Sequence, residues 1–225
     1  MIFLRGNGIV ISKKEIEEAD RYITVFMEDF GKISILVKGI RKSKKRDKTA
    51  VDIISLTDFT FYRKGENIII SEFNGIEGYR EIKNDLEKLK IVFYIFSILN
   101  QILVENGRNR KIYNLLKNSL AALNKSKERK KDLLMLAYFI YEIIKDEGIV
   151  PEERDSSIFF FNKNLQKENM ILKALLNDSI KELVRNNDYE IEEVKKVINI
   201  LERYINVNLD LKLDAKRFLW GDFLC

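Results

Sequence analysis

The chain has 225 residues, which is enough for one large domain or two smaller ones. Hydrophobic residues make up 46% of it and charged residues 33%, so it can bury an apolar core under a charged surface, and this composition excludes a disordered chain. Forty Lys and Arg against 35 Asp and Glu leave a net charge of +5, which favours an anionic partner where the surplus is concentrated.

Two residue types that most enzyme sites need are nearly absent. The chain has no histidine, and its single cysteine is Cys225. Disulfides, cysteine zinc cages and Ser-His or Cys-His nucleophile pairs are therefore excluded within the chain. We predict a protein that catalyses no covalent chemistry and needs no metal or cofactor.

The apolar runs are too short for membrane attachment. None approaches the roughly 18 residues that a spanning helix needs. The N-terminus reaches Gly6 before a signal-peptide core develops. We expect a cytoplasmic protein that has no contact with a membrane.

The first part of the chain carries strand signals. Short runs rich in Ile, Val, Phe and Tyr are separated by glycines and charged turns. They predict strands near residues 3–12, 21–28, 32–38, 52–62 and 67–73, with hairpin turns at residues 28–31 and 63–66. Five strands within about seventy residues predict an antiparallel barrel of the oligonucleotide-binding (OB) type.

The second strand has apolar residues on both faces. Because strand side chains alternate, Ile23, Val25 and Met27 share one face. The other face carries Tyr22, Thr24 and Phe26. A small closed barrel uses apolar residues in this way.

Beyond Gly78 the apolar residues recur at three- and four-residue steps, from Leu86 to Leu103, as in an amphipathic helix. This helix is expected to end at Asn106 and Gly107. Further helices are predicted at residues 111–123, 130–146, 165–185 and 191–207, with Pro151 closing the second of these. The fold class is therefore α+β: an OB-fold domain at residues 1–78, a joint near residues 75–82, and a helical domain at residues 79–225 with a short insert at about 152–168.

The surplus positive charge lies between the third and fourth predicted strands, where residues 38–48 contain seven cations and one acid. Like charges this close repel one another and keep a loop open to solvent, and a polyanion would explain them through counterion release. The candidate contacts with nucleic acid in this segment are Lys38, Arg41, Lys42, Lys44, Lys45, Arg46 and Lys48. Arg5 and Arg21, with Lys13 and Lys14, extend the cationic surface from neighbouring strands.

Each of these features also has a simpler interpretation. A lysine-rich loop in a highly charged protein is often only a solvated loop. Tyr22 and Phe26 offer stacking surfaces for unpaired bases, but aromatic residues of small barrels more often belong to the core. Four carboxylates alternate with cations, which favours a mixed-sign surface over a metal site; they are Glu15, Glu17, Glu18 and Asp20.

The sequence lacks two common nucleotide-binding motifs, the P-loop and the dinucleotide fingerprint. Gly31 and Lys32 are followed by Ile33 where a P-loop has Ser or Thr, and residues 6–8 lack the third glycine of a dinucleotide fingerprint. The apolar triplet at residues 159–161 is better explained as a buried strand or insert than as a partner groove.

Four short segments share their order and spacing with a known family. They are GIVI at residues 8–11, EADRYITVF at residues 18–26, GK at residues 31–32 and KGIRKS at residues 38–43. Downstream, residues 139–151 end in a glycine turn before Pro151, and residues 204–219 form a C-terminal helix and tail. Together these resemble the bacterial RecO recombination-repair family, and the resemblance is most specific in residues 8–46.

The resemblance implies an OB barrel followed by a helical domain. It also implies binding of single- and double-stranded DNA, annealing of complementary strands, and assistance in loading recombinase onto DNA coated by single-strand-binding protein. The implied partners are RecR and the acidic C-terminal tail of the coating protein. Many relatives carry paired CxxC zinc motifs after the glycine turn, whereas residues 152–170 contain no cysteine, so zinc is not expected here.

Two other functions stay open at this point. An RNA- or ribosome-associated accessory protein would use the same barrel and loop on folded RNA. A hydrolase using Asp, Glu and a divalent metal would cleave strands in magnesium or manganese.

Overall fold

The structure is a computed structural model that describes residues 2–16, 18–151 and 166–221. The first third of the chain contains five strands, which are β1 (Phe3–Ile16), β2 (Asp20–Met27), β3 (Gly31–Val37), β4 (Leu56–Lys64) and β5 (Asn67–Glu77). They close into a barrel in the order β1-β2-β3-β5-β4. All pairings are antiparallel except that of β3 with β5. The predicted α+β fold class with an N-terminal five-stranded OB barrel is confirmed.

Alternation along the strands separates the barrel interior from its outside. Ile23, Val25 and Met27 belong to the buried interior cluster, as the sequence predicts. The same cluster takes residues from all five strands, including Val10, Ile35, Phe59 and Ile70. Burying branched and aromatic side chains from every strand makes this interior the main source of the barrel's stability.

Both predicted hairpin turns are present, and each has a glycine where the backbone enters the left-handed region. Gly31 has φ +70° and Gly65 has φ +62°. β2 pairs with β3 from Met27 opposite Gly31, and β4 pairs with β5 from Lys64 opposite Asn67. An L-residue is strained at such φ values, so these two positions favour glycine.

The fourth strand begins later than the sequence predicts. Residues from Asp52 were expected to be extended, but β4 starts at Leu56. A short 3₁₀ helix at Thr49–Val51 precedes it, and Ile54 has φ 60°. Side-chain oxygens explain the difference, because Asp47 accepts hydrogen bonds from the Thr49 backbone N–H and hydroxyl and so favours a turn over a strand.

The described helices are α1 (Arg80–Lys83), α2 (Leu86–Ile102), α3 (Arg110–Lys125), α4 (Arg129–Asp146), α5 (Gln166–Leu176), α6 (Ile180–Asn186) and α7 (Ile191–Leu209). A π-helical turn follows at Lys216–Trp220. Helix α2 ends at Ile102, four residues before the predicted Asn106. Helix α4 ends as predicted before Gly148, whose φ is +69°.

The prediction of one continuous helix over residues 165–185 is wrong. The segment divides into α5 and α6 at Asp178, whose φ is 53°. The Ser179 N–H donates to the carbonyl of Ala174, five residues back, which closes α5 in the manner of a Schellman turn. Asn177 and Asp178 tolerate the left-handed conformation, so this polar pair interrupts the apolar period.

Two compact units make up the chain. The barrel unit comprises residues 1–84 and 102–121, and the helical unit comprises residues 85–101 and 122–225. The barrel unit thus contains most of α3 in addition to the strands. Whether residues 1–78 and 79–225 are the folding domains stays a prediction, because compactness and independent folding are different properties.

Within the helical unit, α4 and α5 both pack against α7. A partly buried hydrogen-bond network joins α2, α7 and the C-terminal turn, because Glu202 accepts from the Tyr94 hydroxyl and from the Ala215 N–H. The Tyr204 hydroxyl donates to the Ile149 carbonyl at 2.6 Å. None of the helices that the structure describes combines the length and apolarity needed to cross a bilayer.

Candidate nucleic-acid interface

The basic loop, residues 38–48, leaves the barrel at the end of β3 on a fixed backbone path. Ile40 is fully buried in the barrel interior and anchors the loop. The Gly39 N–H donates to Asp20 Oδ1 at 2.7 Å, and the Arg41 N–H donates to the Ala19 carbonyl at 3.0 Å. The cations on this loop are therefore held near one another by packing and backbone hydrogen bonds, in spite of their mutual repulsion.

Three lysines of the basic loop face solvent. Lys38, Lys44 and Lys45 are exposed, and no described residue gives their side chains a hydrogen bond or an ion pair. An ammonium group in this setting loses nothing within the described fold when it meets a phosphate. These three side chains are the members of the predicted contact set that are exposed and have no partner among the described residues.

Other predicted contacts are held by carboxylates or carbonyls. Lys42 pairs with Glu18 at 2.6 Å and Arg41 with Glu15 at 3.4 Å, all with well exposed side chains. The ammonium group of Lys48 donates to the Arg41 carbonyl at 2.7 Å. Exposed ion pairs contribute little net stability, so a phosphate can replace the carboxylate at modest cost.

Arg46 has a structural role within the loop. Its guanidinium lies 4.7 Å from the centre of the Phe73 ring and donates to the Lys38 carbonyl at 2.8 Å. Phe73 packs against the interior cluster, and burial lowers the pKa of Arg46. Arg46 thus ties the loop to β5 through a cation–π contact, and its hydrogen bond to Lys38 joins the two ends of the loop.

The two arginines predicted to extend the surface are both paired. Arg5 meets Asp58 through two nitrogens, the shorter contact being 2.5 Å, and this hydrogen bond raises the pKa of Arg5. Arg21 is only 12% exposed and donates to Glu15 at 2.7 Å and to the Val51 carbonyl at 3.3 Å. The Arg21 hydrogen bond lowers the pKa of Glu15. Arg5 is well exposed, whereas Arg21 serves mainly to hold β1, β2 and the segment before β4 together.

The two candidate stacking residues differ in access. Phe26 is fully buried, and its ring meets the Tyr113 ring of α3 edge to face, with centroids 5.8 Å apart. Helix α3 therefore covers it, and the core interpretation of Phe26 is the one that the structure bears out. Tyr22 is half-buried, and its hydroxyl donates to Asn67 Oδ1 at 2.5 Å.

The acidic residues beside β1 behave as a mixed-sign surface. Glu15 and Glu18 pair with cations, and Asp20 accepts from a backbone N–H. Glu17 lies outside the described residues. The described ranges bring no three His, Cys, Asp or Glu side chains together in a way that would hold a metal ion.

The sequence is similar to a known protein family and to several of its named members. A family model described as the N-terminal part of recombination protein O matches residues 1–79. A protein named DNA repair protein RecO from Acetivibrio thermocellus is 30% identical over 151 residues, which are 67% of this chain and 59% of the relative. Another of that name from a Thermoanaerobacter species is 24% identical over 245 residues, which cover 97% of this chain and 98% of the relative. The chain belongs to the RecO family.

The family match covers the whole barrel and the basic loop, which is the part of the chain with the most specific resemblance. A third relative of the same name, from Caldanaerobacter subterraneus, is 30% identical over 123 residues, or 50% of its own length. The chain thus spans less than two thirds of two of these three RecO relatives.

The paired cysteines that hold zinc in many members have no counterpart at residues 152–170, so this chain offers no cysteine cage there. Residues 152–165, which include the apolar triplet at 159–161, lie outside the described residues.

A second group of cations was not predicted from the sequence. Arg108 and Arg110 both donate to Asp29 Oδ1 at 2.5 Å, and these hydrogen bonds lower the pKa of Asp29, that from Arg110 most strongly. Residues about eighty positions apart in the chain meet here only because the turn between β2 and β3 packs on the segment before α3. One local signal existed: the first turn of α3 holds basic residues and no acid, which is the reverse of what the helix dipole favours.

Proposed function

We propose that this protein is a DNA repair and recombination mediator that binds single- and double-stranded DNA through the basic loop and promotes pairing of complementary strands. The observation that carries the proposal is the set of three exposed lysines, Lys38, Lys44 and Lys45, on a loop whose backbone is fixed. Phosphates that these cations meet release condensed counterions, and the gain in entropy does not depend on sequence.

Annealing follows from the same electrostatics. Two DNA strands repel one another across their phosphates, and a cationic surface that contacts one strand lowers that repulsion at short range. No nucleotide hydrolysis enters this scheme. The family membership and the names of the relatives support a role in repair and recombination. We place that role at the nucleoid in the cytoplasm, where such DNA is found.

The finer part of the proposal concerns protein partners. We assign assistance in recombinase loading to joint action with RecR and with the acidic tail of single-strand-binding protein. Within the helical unit, a hollow of about 460 Å³ between the end of α3 and the start of α4 supports the second of these. Its lining combines apolar Leu123 and Met135 with Lys125, Lys127 and Lys131, although Glu128 and Asp132 also border it. An apolar floor with cations at its edge is suited to an acidic peptide.

The test is strand annealing without ATP over a series of salt concentrations. The variant replaces Lys38, Lys44 and Lys45 with alanine, and the matched control replaces three exposed lysines of the helical unit, Lys173, Lys181 and Lys216. If each loop lysine contacts one phosphate, the slope of log affinity against log salt for single strands flattens by about two, at ~0.7 per contact. The control should keep the wild-type slope and annealing rate.

Three results would reject the proposal. An unchanged slope in the loop variant removes the basic loop from binding. Stronger binding of structured RNA than of single-stranded DNA in direct competition would favour the RNA-associated alternative. Cleavage of DNA in magnesium or manganese would support a hydrolase instead.

A further inference from the structure

A hollow opens at the end of the barrel where the turn between β2 and β3 lies. It measures about 270 Å³ and is bordered by five apolar and three polar residues: Leu4, Phe30, Ile33, Phe61, Ile68, Asp29, Arg63 and Asn106. All of them belong to the barrel unit. The volume lies just below the roughly 300–1,000 Å³ of sites for drug-sized ligands, so the hollow suits one ring system.

The walls of the hollow are aromatic and aliphatic. The rings of Phe30 and Phe61 meet edge to face, with centroids 5.2 Å apart and planes at 82°. Leu4 stands at the entrance and remains 42% exposed. A planar aromatic ligand can therefore enter past Leu4 and pack against the phenylalanine pair, which gives contact area at small entropic cost.

The edge of the hollow is cationic. Arg63 is exposed, and no described residue forms a hydrogen bond or ion pair with its side chain. Asp29 also borders the hollow and pairs with Arg108 and Arg110, so two further guanidinium groups are held by a residue of the hollow. Since cations in the first turn of α3 oppose the helix dipole, helix stability does not explain them.

The two sides of the hollow are fixed relative to one another by the backbone. The Asn106 N–H donates to the Lys32 carbonyl at 3.0 Å. A Cβ at Gly31 would lie 2.1 Å from the carbonyl oxygen of Gly107, so only glycine permits this close approach. Asp29 and Phe30 on one side are thus held against Asn106 and Arg108 on the other, which prepares the site before a ligand arrives.

We propose that this hollow binds one unpaired nucleotide of single-stranded DNA, with its base between Leu4 and the Phe30–Phe61 pair and its phosphate at Arg63, Arg108 and Arg110. The amide of Asn106 can meet the polar edge of a base, which an aliphatic side chain would leave unsatisfied. The inference rests on the proposed function and deepens it, since β3 leads from the hollow to the basic loop over seven residues, roughly 20 Å at ~3.3 Å per residue. A bound strand would meet a base-binding site at one end of β3 and phosphate-binding lysines at the other.

The experiment compares two labelled single strands of equal length, one of thymidines and one with abasic sugars, by fluorescence anisotropy on the full chain. Both carry the same phosphates, so only a base contact distinguishes them. The wild type should prefer the thymidine strand by roughly fivefold to a hundredfold, the range for a stacked base. Leu4→Trp, which fills the entrance, should reduce that preference to within about twofold.

Matched controls separate the site from general effects. Leu86 is 63% exposed in the helical unit, so Leu86→Trp should keep the wild-type base preference. Arg63→Ala should remove one phosphate contact and so flatten the slope of log affinity against log salt by ~0.7. Lys181→Ala should leave that slope unchanged. Thermal unfolding of each variant checks that the barrel is intact. Photocrosslinking of iodouracil in the strand to Phe30 or Phe61 gives a second measurement without any substitution.

The outcomes distinguish this inference from the proposed function. A wild type that binds neither strand would contradict the proposed function. Equal binding of both strands with a steep salt dependence would overturn the nucleotide site alone. A base preference that persists in Leu4→Trp would also overturn it, and would leave the hollow for another occupant such as an apolar side chain of a protein partner.

Discussion

The lysines of the basic loop and those of the helical unit are the same residue type in opposite settings. In the helical unit many are held by carboxylates: Lys131 by Glu128 at 2.5 Å, Lys195 by Glu192 at 2.6 Å and Lys145 by Asp178 at 3.1 Å. In the basic loop Lys38, Lys44 and Lys45 have no such partner among the described residues.

This difference shows why net charge by itself does not locate a binding surface. The helical unit uses its cations for local ion pairs, many of them one turn apart, which add small increments to helix stability. The loop keeps three cations accessible, while Arg46 ties them to β5. Four predictions would break or sharpen this comparison.

The largest expected effect concerns a barrel residue that holds the fold. Phe26→Ala should reduce the free energy of unfolding by about 3–5 kcal/mol, because it opens a cavity beneath Tyr113. Urea unfolding measures this loss. The affinity of the folded fraction for DNA should be unchanged. Tyr22 is on the same strand face but half-buried, so Tyr22→Ala should reduce the free energy of unfolding by less. Reduced DNA affinity of Phe26→Ala at unchanged stability would place the ring on a base instead.

Arg46 tests whether one loop cation serves structure while its neighbours serve binding. Arg46→Ala should lower the free energy of unfolding by about 1–2 kcal/mol, through loss of the contact with Phe73 and of the hydrogen bond to Lys38. Arg46→Lys should recover little, because an ammonium lacks the planar guanidinium surface. Lys45→Ala is the control, and its free energy of unfolding should stay within about 0.5 kcal/mol of the wild-type value. A larger loss for Lys45→Ala than for Arg46→Ala would reverse the assignment.

Glu15 in the barrel unit and Asp132 in the helical unit should change stability with pH in opposite directions. Arg21 lowers the pKa of Glu15 in the folded barrel, so this pair adds stability above the ordinary glutamate pKa and loses it as pH falls. Burial raises the pKa of Asp132 in α4, so its contribution favours folding at low pH and is lost as pH rises past the ordinary aspartate pKa. The free energy of unfolding should be measured across acidic pH. As pH rises, it should increase less in Glu15→Gln than in the wild type, and more in Asp132→Asn. Shifts of the same sign in both variants would contradict the two pKa directions.

The smallest effect belongs to the paired surface of the helical unit. Glu192→Gln removes the partner of Lys195 and one acid from the first turn of α7. It should cost roughly 0.3–1 kcal/mol of the free energy of unfolding and leave the salt dependence of DNA binding as in the wild type. If freeing Lys195 in this way steepened the salt slope, unpaired lysines of the helical unit would also contact DNA.

The sequence by itself determined the barrel and the basic loop. Period-two alternation in β2, glycines at both hairpin turns and a change to helical spacing after Gly78 are local signals, and each depends on residues a few positions apart. The crowding of cations in residues 38–48 is also visible in the chain, as are the absence of histidine and the resemblance to RecO. Local signals were weaker at boundaries, where Asp47 turned the chain before β4 and Asp178 ended α5.

Only the tertiary structure decided which side chains are available. Arg21 and Arg46 look like their neighbours in the sequence, yet one is buried against Val51 and the other lies over Phe73. Phe26 is covered by a helix that begins more than eighty residues later, and Arg63 and Asn106 come to the same hollow from separate segments. Charge, ring and spacing are properties of the chain, but burial and pairing depend on contacts between distant residues, which form only when the chain folds.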